Sequence, residues 1–175
     1  MLRCDGPSSP CCLSLIAAAC GGSDEVRTTY YQDAARLTST YEAAAGASFD
    51  TYRAAPAAAT EETGDTIFVE ANQALFTGLE LELGTAVSDL TLLVRPGDLE
   101  NEHAEWVVAA QALYLTIQEV DDTLTPLTDP DAVDEILSAL PLADLQAAYR
   151  STCRVVRELG SDSDDIISCE PADAA

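Results

Sequence analysis

Apolar side chains recur every three or four residues through most of this chain, which is the repeat of one face of an α-helix. The repeat predicts four helical segments, at roughly residues 25–53, 65–95, 98–126 and 129–160. Pro141 must break or kink the last of them, because proline cannot continue a helical hydrogen-bond ladder. No segment alternates apolar and polar residues with the period of two that a β-strand gives. The sequence therefore predicts an all-α, up-down four-helix bundle whose last helix is kinked.

The third segment carries the clearest apolar stripe. Its positions repeat at alternating steps of four and three, the pattern of a heptad seam, at Leu99, His103, Trp106, Ala110, Leu113, Ile117, Val120 and Leu124. Segments two and three are each about 28 residues, or roughly 42 Å of helix, and a short Arg95-Pro-Gly97 turn joins them. These features favour an antiparallel hairpin. Gly78 and Gly84 on the second segment would allow a neighbouring helix to approach closely.

A short apolar run covers residues 11–19 near the start of the chain. It is too short to cross a bilayer, for which a helix needs about 20 residues, but it is typical of a secretory signal with small residues at the cleavage site. The stretch Ile16-Ala-Ala-Ala-Cys20-Gly-Gly resembles the lipobox of bacterial lipoproteins, although Ala17 stands where leucine is usual. This resemblance implies cleavage before Cys20 and lipidation of its sulfur by diacylglycerol.

The lipobox resemblance implies a division of the chain into three parts. Residues 1–19 would be the lipoprotein signal peptide, residues 20–24 a flexible tether and residues 25–175 the bundle domain. It also implies a location on the extracytoplasmic face of the cell membrane, because two or more acyl chains anchor a protein stably. The alternatives are an ordinary cleaved signal, and a buried N-terminal helix in which Cys20 is a free thiol.

Cys153 and Cys169 are the two cysteines that lie outside the N-terminal segment. In an exported chain, a lone pair of cysteines most simply forms one disulfide. The crosslink would close a loop of about 17 residues and stabilise the fold by roughly 3 kcal/mol. It would attach the polar C-terminal tail to the last helix. Two free thiols or two metal ligands are the alternatives.

The charge balance is strongly acidic, with 31 acidic residues, 8 basic residues and a net charge of -23. Such a surface repels phosphate backbones, so we expect no binding to nucleic acid. Acidic surfaces are either solvated faces or cation-binding surfaces. The candidate cation ligands are Asp162, Asp164 and Asp165 in a polar turn, which lacks the glycine and the closing glutamate of an EF-hand loop. A solvated turn is the alternative.

His103 is the single histidine, which removes most catalytic constellations. The element Glu100-Asn-Glu-His103 matches one half of a di-iron bundle motif, but such a site needs a second element of this kind. The chain also lacks the Gly-x-Ser-x-Gly elbow of serine hydrolases. We therefore predict no enzymatic activity and no cofactor. His103 is expected to be structural, and a ligand contact made together with Trp106 is the alternative.

Most of residues 20–175 also resembles acidic, all-helical bacterial lipoproteins of unknown function. The shared traits are the Cys20-Gly-Gly start, a tyrosine-rich first helix, the Glu-x-x-His element and a closing cysteine pair around an acidic turn. The resemblance implies a location and a fold, and it supplies no activity. The expected function is a binding or interaction module of the cell envelope. Its partners would be the membrane, through the lipid anchor, and an envelope protein or a small ligand.

Two more specific binding functions stay open at this point. One is a carrier of a small apolar ligand, which requires a sizeable cavity lined by residues such as Trp106, Phe68 and Leu79. The other is a divalent-cation binder that uses the acidic surface. A close-packed interior would contradict the carrier hypothesis, so the packing of the bundle decides whether it survives.

Overall fold

The computed structural model describes residues 11–160 and 167–169, with side chains from Asp24 onward. Within these residues the chain forms helices and short 3₁₀ turns and contains no strand, which confirms the all-α class. The helices are α1 (Cys11–Ala54), α2 (Gly64–Leu92), α3 (Glu100–Leu124), α4 (Pro130–Ser138) and α5 (Leu142–Leu159).

The four long helices lie side by side, with α1 against α2, α2 against α3, and α3 against α5. The contacts of Arg27, which lies near the first described side chain of α1, show the directions of the helices. Its guanidinium donates hydrogen bonds to the Asp98 carboxylate, just before α3, and to the Leu159 carbonyl at the end of α5. One end of the bundle therefore holds this part of α1, the start of α3 and the end of α5. The long helices alternate in direction, as the sequence predicts.

The predicted seam on α3 forms the centre of the core. Every seam position from Leu99 to Leu124 is buried. It packs against buried apolar residues of the neighbouring helices, among them Tyr30, Ala34, Leu37, Val69, Phe76, Leu90, Tyr149 and Val156. The heptad period therefore identified the buried face of α3 correctly, because a straight helix presents those positions to one side.

The two glycines of α2 lie where other elements come close. A β-carbon at Gly84 would lie 3.0 Å from the ring of Tyr114 on α3. A β-carbon at Gly78 would lie 2.7 Å from the hydroxyl oxygen of Ser48 on α1. Side chains of the neighbouring helices therefore occupy the space beside both glycines, and the Gly78 contact places Ser48 level with Gly78 on the antiparallel α1–α2 pair.

Pro141 separates two helices, so the interruption predicted there is a break and not a kink. α4 ends at Ser138, and the Ala139 N–H donates to the Ile136 carbonyl at 3.1 Å in a tight final turn. α5 begins at Leu142, directly after Pro141, whose ring fits the first turn of a helix but not its interior. α4 packs against α2, whereas α5 packs against α3.

Cys153 and Cys169 form the predicted disulfide, with their Cα atoms 5.6 Å apart. Because the two sulfurs are bonded to each other, the free-thiol and metal-ligand alternatives are wrong. Both residues are buried. The crosslink holds the C-terminal segment 167–169 between α5 and α1. On α1, the Ser168 N–H donates to the Thr38 hydroxyl oxygen at 3.3 Å, and the Ser168 hydroxyl donates to a carboxylate of the same helix.

The N-terminal division of the chain stays a prediction. The backbone of α1 begins at Cys11 and passes through residues 20–24, which the sequence predicts to be a flexible tether. The side chain of Cys20 lies outside the described part of the structure, as do residues 1–10 of the predicted signal peptide. Within the described helices, none is long and apolar enough to cross a bilayer.

Candidate ligand cavity

His103 is buried at the end of the bundle where α3 begins. Its Nδ1 lies 2.9 Å from the Tyr30 hydroxyl, and its Nε2 has no partner of normal hydrogen-bond geometry among the described residues. Burial lowers the pKa of His103 below its ordinary value of 6.5, and the Arg95 charge lowers it further. The nearby Leu90 carbonyl acts in the opposite direction. The surroundings therefore favour a neutral imidazole in a structural position.

Trp106 is 0% exposed and lies between two other rings of the core. Its ring centroid is 6.4 Å from that of His103 on one side and 6.4 Å from that of Tyr149 on the other. Burial raises the pKa of Tyr149 to about 12, and the neighbouring Trp106 indole acts in the opposite direction. These rings pack closely, and neither His103 nor Trp106 lines the large cavity of the core. Their proposed ligand contacts therefore gain no support from the structure.

A cavity of about 350 Å³ lies in the part of the core away from Arg27 and His103. Leu79 lines it, as the carrier hypothesis expects, whereas Phe68 and Trp106 do not. Its walls come from every helix of the bundle, and most are apolar: Tyr41, Phe49, Tyr52, Arg53, Asn72, Leu75, Phe76, Leu79, Leu83, Leu113, Ile117, Leu137, Leu140, Leu142 and Gln146. The interior is therefore not close-packed in this region.

The break at Pro141 explains why the cavity is here. A straight fourth helix would continue past Leu142 along the bundle and fill the space between α1 and α3. Instead, the chain before Leu142 belongs to α4, which packs against α2. Leu137 and Leu140 then cover the space from one side without filling it. The break at Pro141 thus leaves a cavity that is bounded by apolar side chains.

The cavity reaches solvent between α1 and the α4–α5 break. Phe49 and Tyr52 on α1, and Leu142 and Gln146 at the break, are partly exposed members of its wall. Arg53 marks the same opening, with its side chain 44% exposed and a guanidinium nitrogen 3.0 Å from the carboxylate of the preceding acidic residue on α1. A small molecule could enter here without unfolding a helix.

Tyr41 and Asn72 are the buried polar side chains of the cavity wall. Burial raises the pKa of Tyr41 well above 10, and the neighbouring Tyr149 and Glu42 raise it further, so its hydroxyl stays neutral. Asn72 donates from Nδ2 to the Phe68 carbonyl at 2.8 Å. The sequence reasoning missed both residues. The available signal was Asn72, a polar residue one turn before Leu75 on the apolar stripe of α2.

The remaining predicted sites lie outside the described residues. This holds for the candidate cation ligands Asp162, Asp164 and Asp165, and for the side chain of Cys20. Within the described part of the chain, no group of three or more histidine, cysteine or acidic residues could hold a metal ion. No protein-family model, curated protein or solved structure matches this chain.

Proposed function

We propose that this protein is a lipid-anchored binding protein on the extracytoplasmic face of the cell membrane, and that its bundle carries a small apolar ligand. The observation that carries the proposal is the cavity of about 350 Å³ with mostly aliphatic and aromatic walls. Transfer of apolar surface from water into such walls is favourable. The sequence predicts a binding module of the cell envelope, and the proposal adds that the bound partner is a small apolar ligand.

The size of the cavity sets the size of the ligand. An apolar cavity of about 150 Å³ in a helical protein stays dry and accepts benzene. The cavity of about 350 Å³ is more than twice as large, so a molecule of roughly a dozen carbon atoms would fit. Ligand sites in proteins commonly occupy about 300–1,000 Å³. The size therefore supports one small molecule and not an extended polymer.

The position of the cavity is compatible with an anchor at Cys20. Asp24, the first described side chain, lies beside the Arg95–Asp98 loop at one end of the bundle. Tyr41, the first cavity residue on α1, comes about 25 Å of helix later. An anchored bundle would therefore hold the cavity opening away from the bilayer surface, where it remains accessible.

The carrier proposal can be tested with N-phenyl-1-naphthylamine, a neutral probe that fluoresces in apolar surroundings. We expect saturable binding by the protein, and a loss of about tenfold in affinity (1.4 kcal/mol) for Leu79→Trp, which occupies part of the cavity. Leu81→Trp is the matched control, because Leu81 lies on the same helix and is 68% exposed. Equal affinity of the two variants, or no saturable binding by the parent protein, would contradict the proposal.

The anchor needs a separate test. Mass spectrometry of the protein purified from membranes should detect a diacylglyceryl group on an N-terminal Cys20. Cys20→Ser should move the protein to the soluble fraction, while its helical content and probe binding remain unchanged. An N-terminal Met1 on the membrane-bound protein would contradict the anchor, and it would leave the result on ligand binding intact.

A further inference from the structure

The wall of the apolar cavity contains the side-chain amide of Asn72. Asn72 is only 2% exposed, and its Nδ2 donates to the Phe68 carbonyl. Because a carbonyl can only accept, this bond identifies the side-chain oxygen as the free end of the amide. This oxygen is not one of the fully buried side-chain atoms that lack a partner, and Asn72 lines the cavity. A ligand that carries a donor could form a hydrogen bond with the amide oxygen here.

Tyr41 offers a second hydrogen-bonding group in the same cavity. Its side chain is 8% exposed, and its hydroxyl makes no hydrogen bond within the described part of the chain. Burial and the neighbouring Tyr149 and Glu42 all oppose ionisation of this hydroxyl. It is therefore available as a neutral donor or acceptor for a ligand.

The charges around the cavity disfavour an ionic ligand. The protein has 31 acidic residues, yet none of the described aspartates and glutamates lines the cavity. Arg53 is a cation in the described wall, and it lies at the opening. Its guanidinium forms a salt bridge with the Asp50 carboxylate. A charged group in the interior would lose its hydration without gaining a counter-ion, which is strongly unfavourable.

The shape of the cavity is elongated along the helices. Its lining residues on α2 run from Asn72 to Leu83, about 16 Å of helix. α1 runs antiparallel to α2, with Ser48 beside Gly78. Tyr41 therefore lies towards the Leu83 end of the cavity, and Asn72 lies at the other end. A ligand that fills the cavity would place polar groups near either end of an apolar body.

We propose that the ligand is an uncharged, elongated apolar molecule with a hydroxyl or amide group, and that Tyr41 and Asn72 select it by hydrogen bonding. This inference rests on the carrier function proposed above and adds the chemical class of the ligand. Hydroxyl and amide groups fit because each both donates and accepts. Tyr41 and Asn72 thereby become specificity-determining residues of the cavity.

The experiment compares three compounds that share a ten-carbon chain and differ in their end group: 1-decanol, decanoate and decyltrimethylammonium. The two ions are used below their micelle concentrations and decanol below its solubility limit, and each displaces bound N-phenyl-1-naphthylamine from the full protein at neutral pH. We expect decanol to bind about tenfold more tightly than either ion, which corresponds to 1.4 kcal/mol. Decanoate or the ammonium compound binding as tightly as decanol would overturn the inference.

Two variants test the named residues. Decanol carries one hydroxyl and can reach only one end of the cavity, so one of the two variants, Tyr41→Phe or Asn72→Leu, should weaken its binding about fivefold, the effect of one hydrogen bond. Tyr114→Phe is the control, since Tyr114 lies outside the cavity wall. Unchanged decanol affinity in both variants would overturn the roles of Tyr41 and Asn72. Failure of the parent protein to bind the fluorescent probe would instead overturn the carrier function itself.

Discussion

The Tyr30 hydroxyl oxygen lies 2.9 Å from Nδ1 of His103, and both side chains are buried. The contact joins α1 to the start of α3 at the end of the bundle away from the cavity. The Nε2 of His103 has no normal hydrogen-bond partner among the described residues. A proton added to this ring would therefore place a positive charge in the core, close to the Arg95 charge that already lowers its pKa.

The first prediction concerns stability below neutral pH. The pKa of His103 is lowered in the folded protein, so the unfolded chain, with an ordinary value near 6.5, binds the proton more readily. Stability should thus be complete above about pH 6.5 and fall as the pH decreases below that value. The variant His103→Gln should lack the pH-dependent loss of stability that His103 causes. The measurement is the difference in melting temperature between the two proteins from pH 7.5 to pH 5.5.

The comparison with His103→Gln cancels the effect of the many carboxylates, which both proteins share. Between pH 7.5 and pH 5.5, the melting temperature of the parent protein should fall further than that of the variant. Parallel curves for the two proteins would show that His103 keeps its ordinary pKa in the core.

The second prediction concerns the disulfide between Cys153 and Cys169. The double variant Cys153→Ala, Cys169→Ala should lower the free energy of unfolding by about 3 kcal/mol, because the unfolded chain regains the freedom of a loop of about 17 residues. Denaturant unfolding measures this change. Amide exchange at Ser168, whose N–H donates to Thr38, should also become faster.

The control for the disulfide is Cys20→Ser, which should unfold at the same denaturant concentration as the parent protein. Equal stability of the double alanine variant and the parent would contradict a stabilising crosslink. Faster amide exchange at Ser168 without a change in the free energy of unfolding would show that the disulfide only holds the C-terminal segment in place.

The third prediction compares two glycines with opposite surroundings. A β-carbon at Gly160 would lie 2.2 Å from the ring of Tyr31, whereas one at Gly46 would have no atom within 4 Å. Gly160→Ala should therefore destabilise the protein by about 1–3 kcal/mol through overpacking. Gly46→Ala should stabilise it by up to about 1 kcal/mol, because alanine is the better helix former. Thermal melts of both variants measure the signs, and two shifts of the same sign would contradict the packing described at Gly160.

The fourth prediction concerns ionic strength. With 31 acidic and 8 basic residues, the folded chain carries a net charge of -23 and repels itself. Sodium chloride screens exposed charges, with a Debye length of about 10 Å at 0.1 M. The melting temperature should rise between 10 mM and 500 mM salt, and an equal osmolality of a neutral solute serves as the control. A melting temperature independent of salt would show that repulsion contributes little.

Local patterns were sufficient for the helices and the crosslink. The seam from Leu99 to Leu124 could be read as a buried face because helical geometry places those positions on one side of α3. Pro141 could be read as an interruption because its ring excludes a continuous helix whatever surrounds it. Cys153 and Cys169 could be paired because they are the cysteines outside the N-terminal segment. Each inference depends on residues close together in the chain or on their chemistry alone.

The cavity could not be predicted in the same way. Trp106 and Leu79 both occupy apolar stripes, yet Trp106 is enclosed by neighbouring rings and Leu79 faces the void. The difference depends on what lies opposite each side chain. Around Leu79 the difference comes from α4, which packs against α2, whereas α5 packs against α3. Helical periodicity decides which face is buried, whereas the packing of distant segments decides whether that face meets another side chain or an empty space.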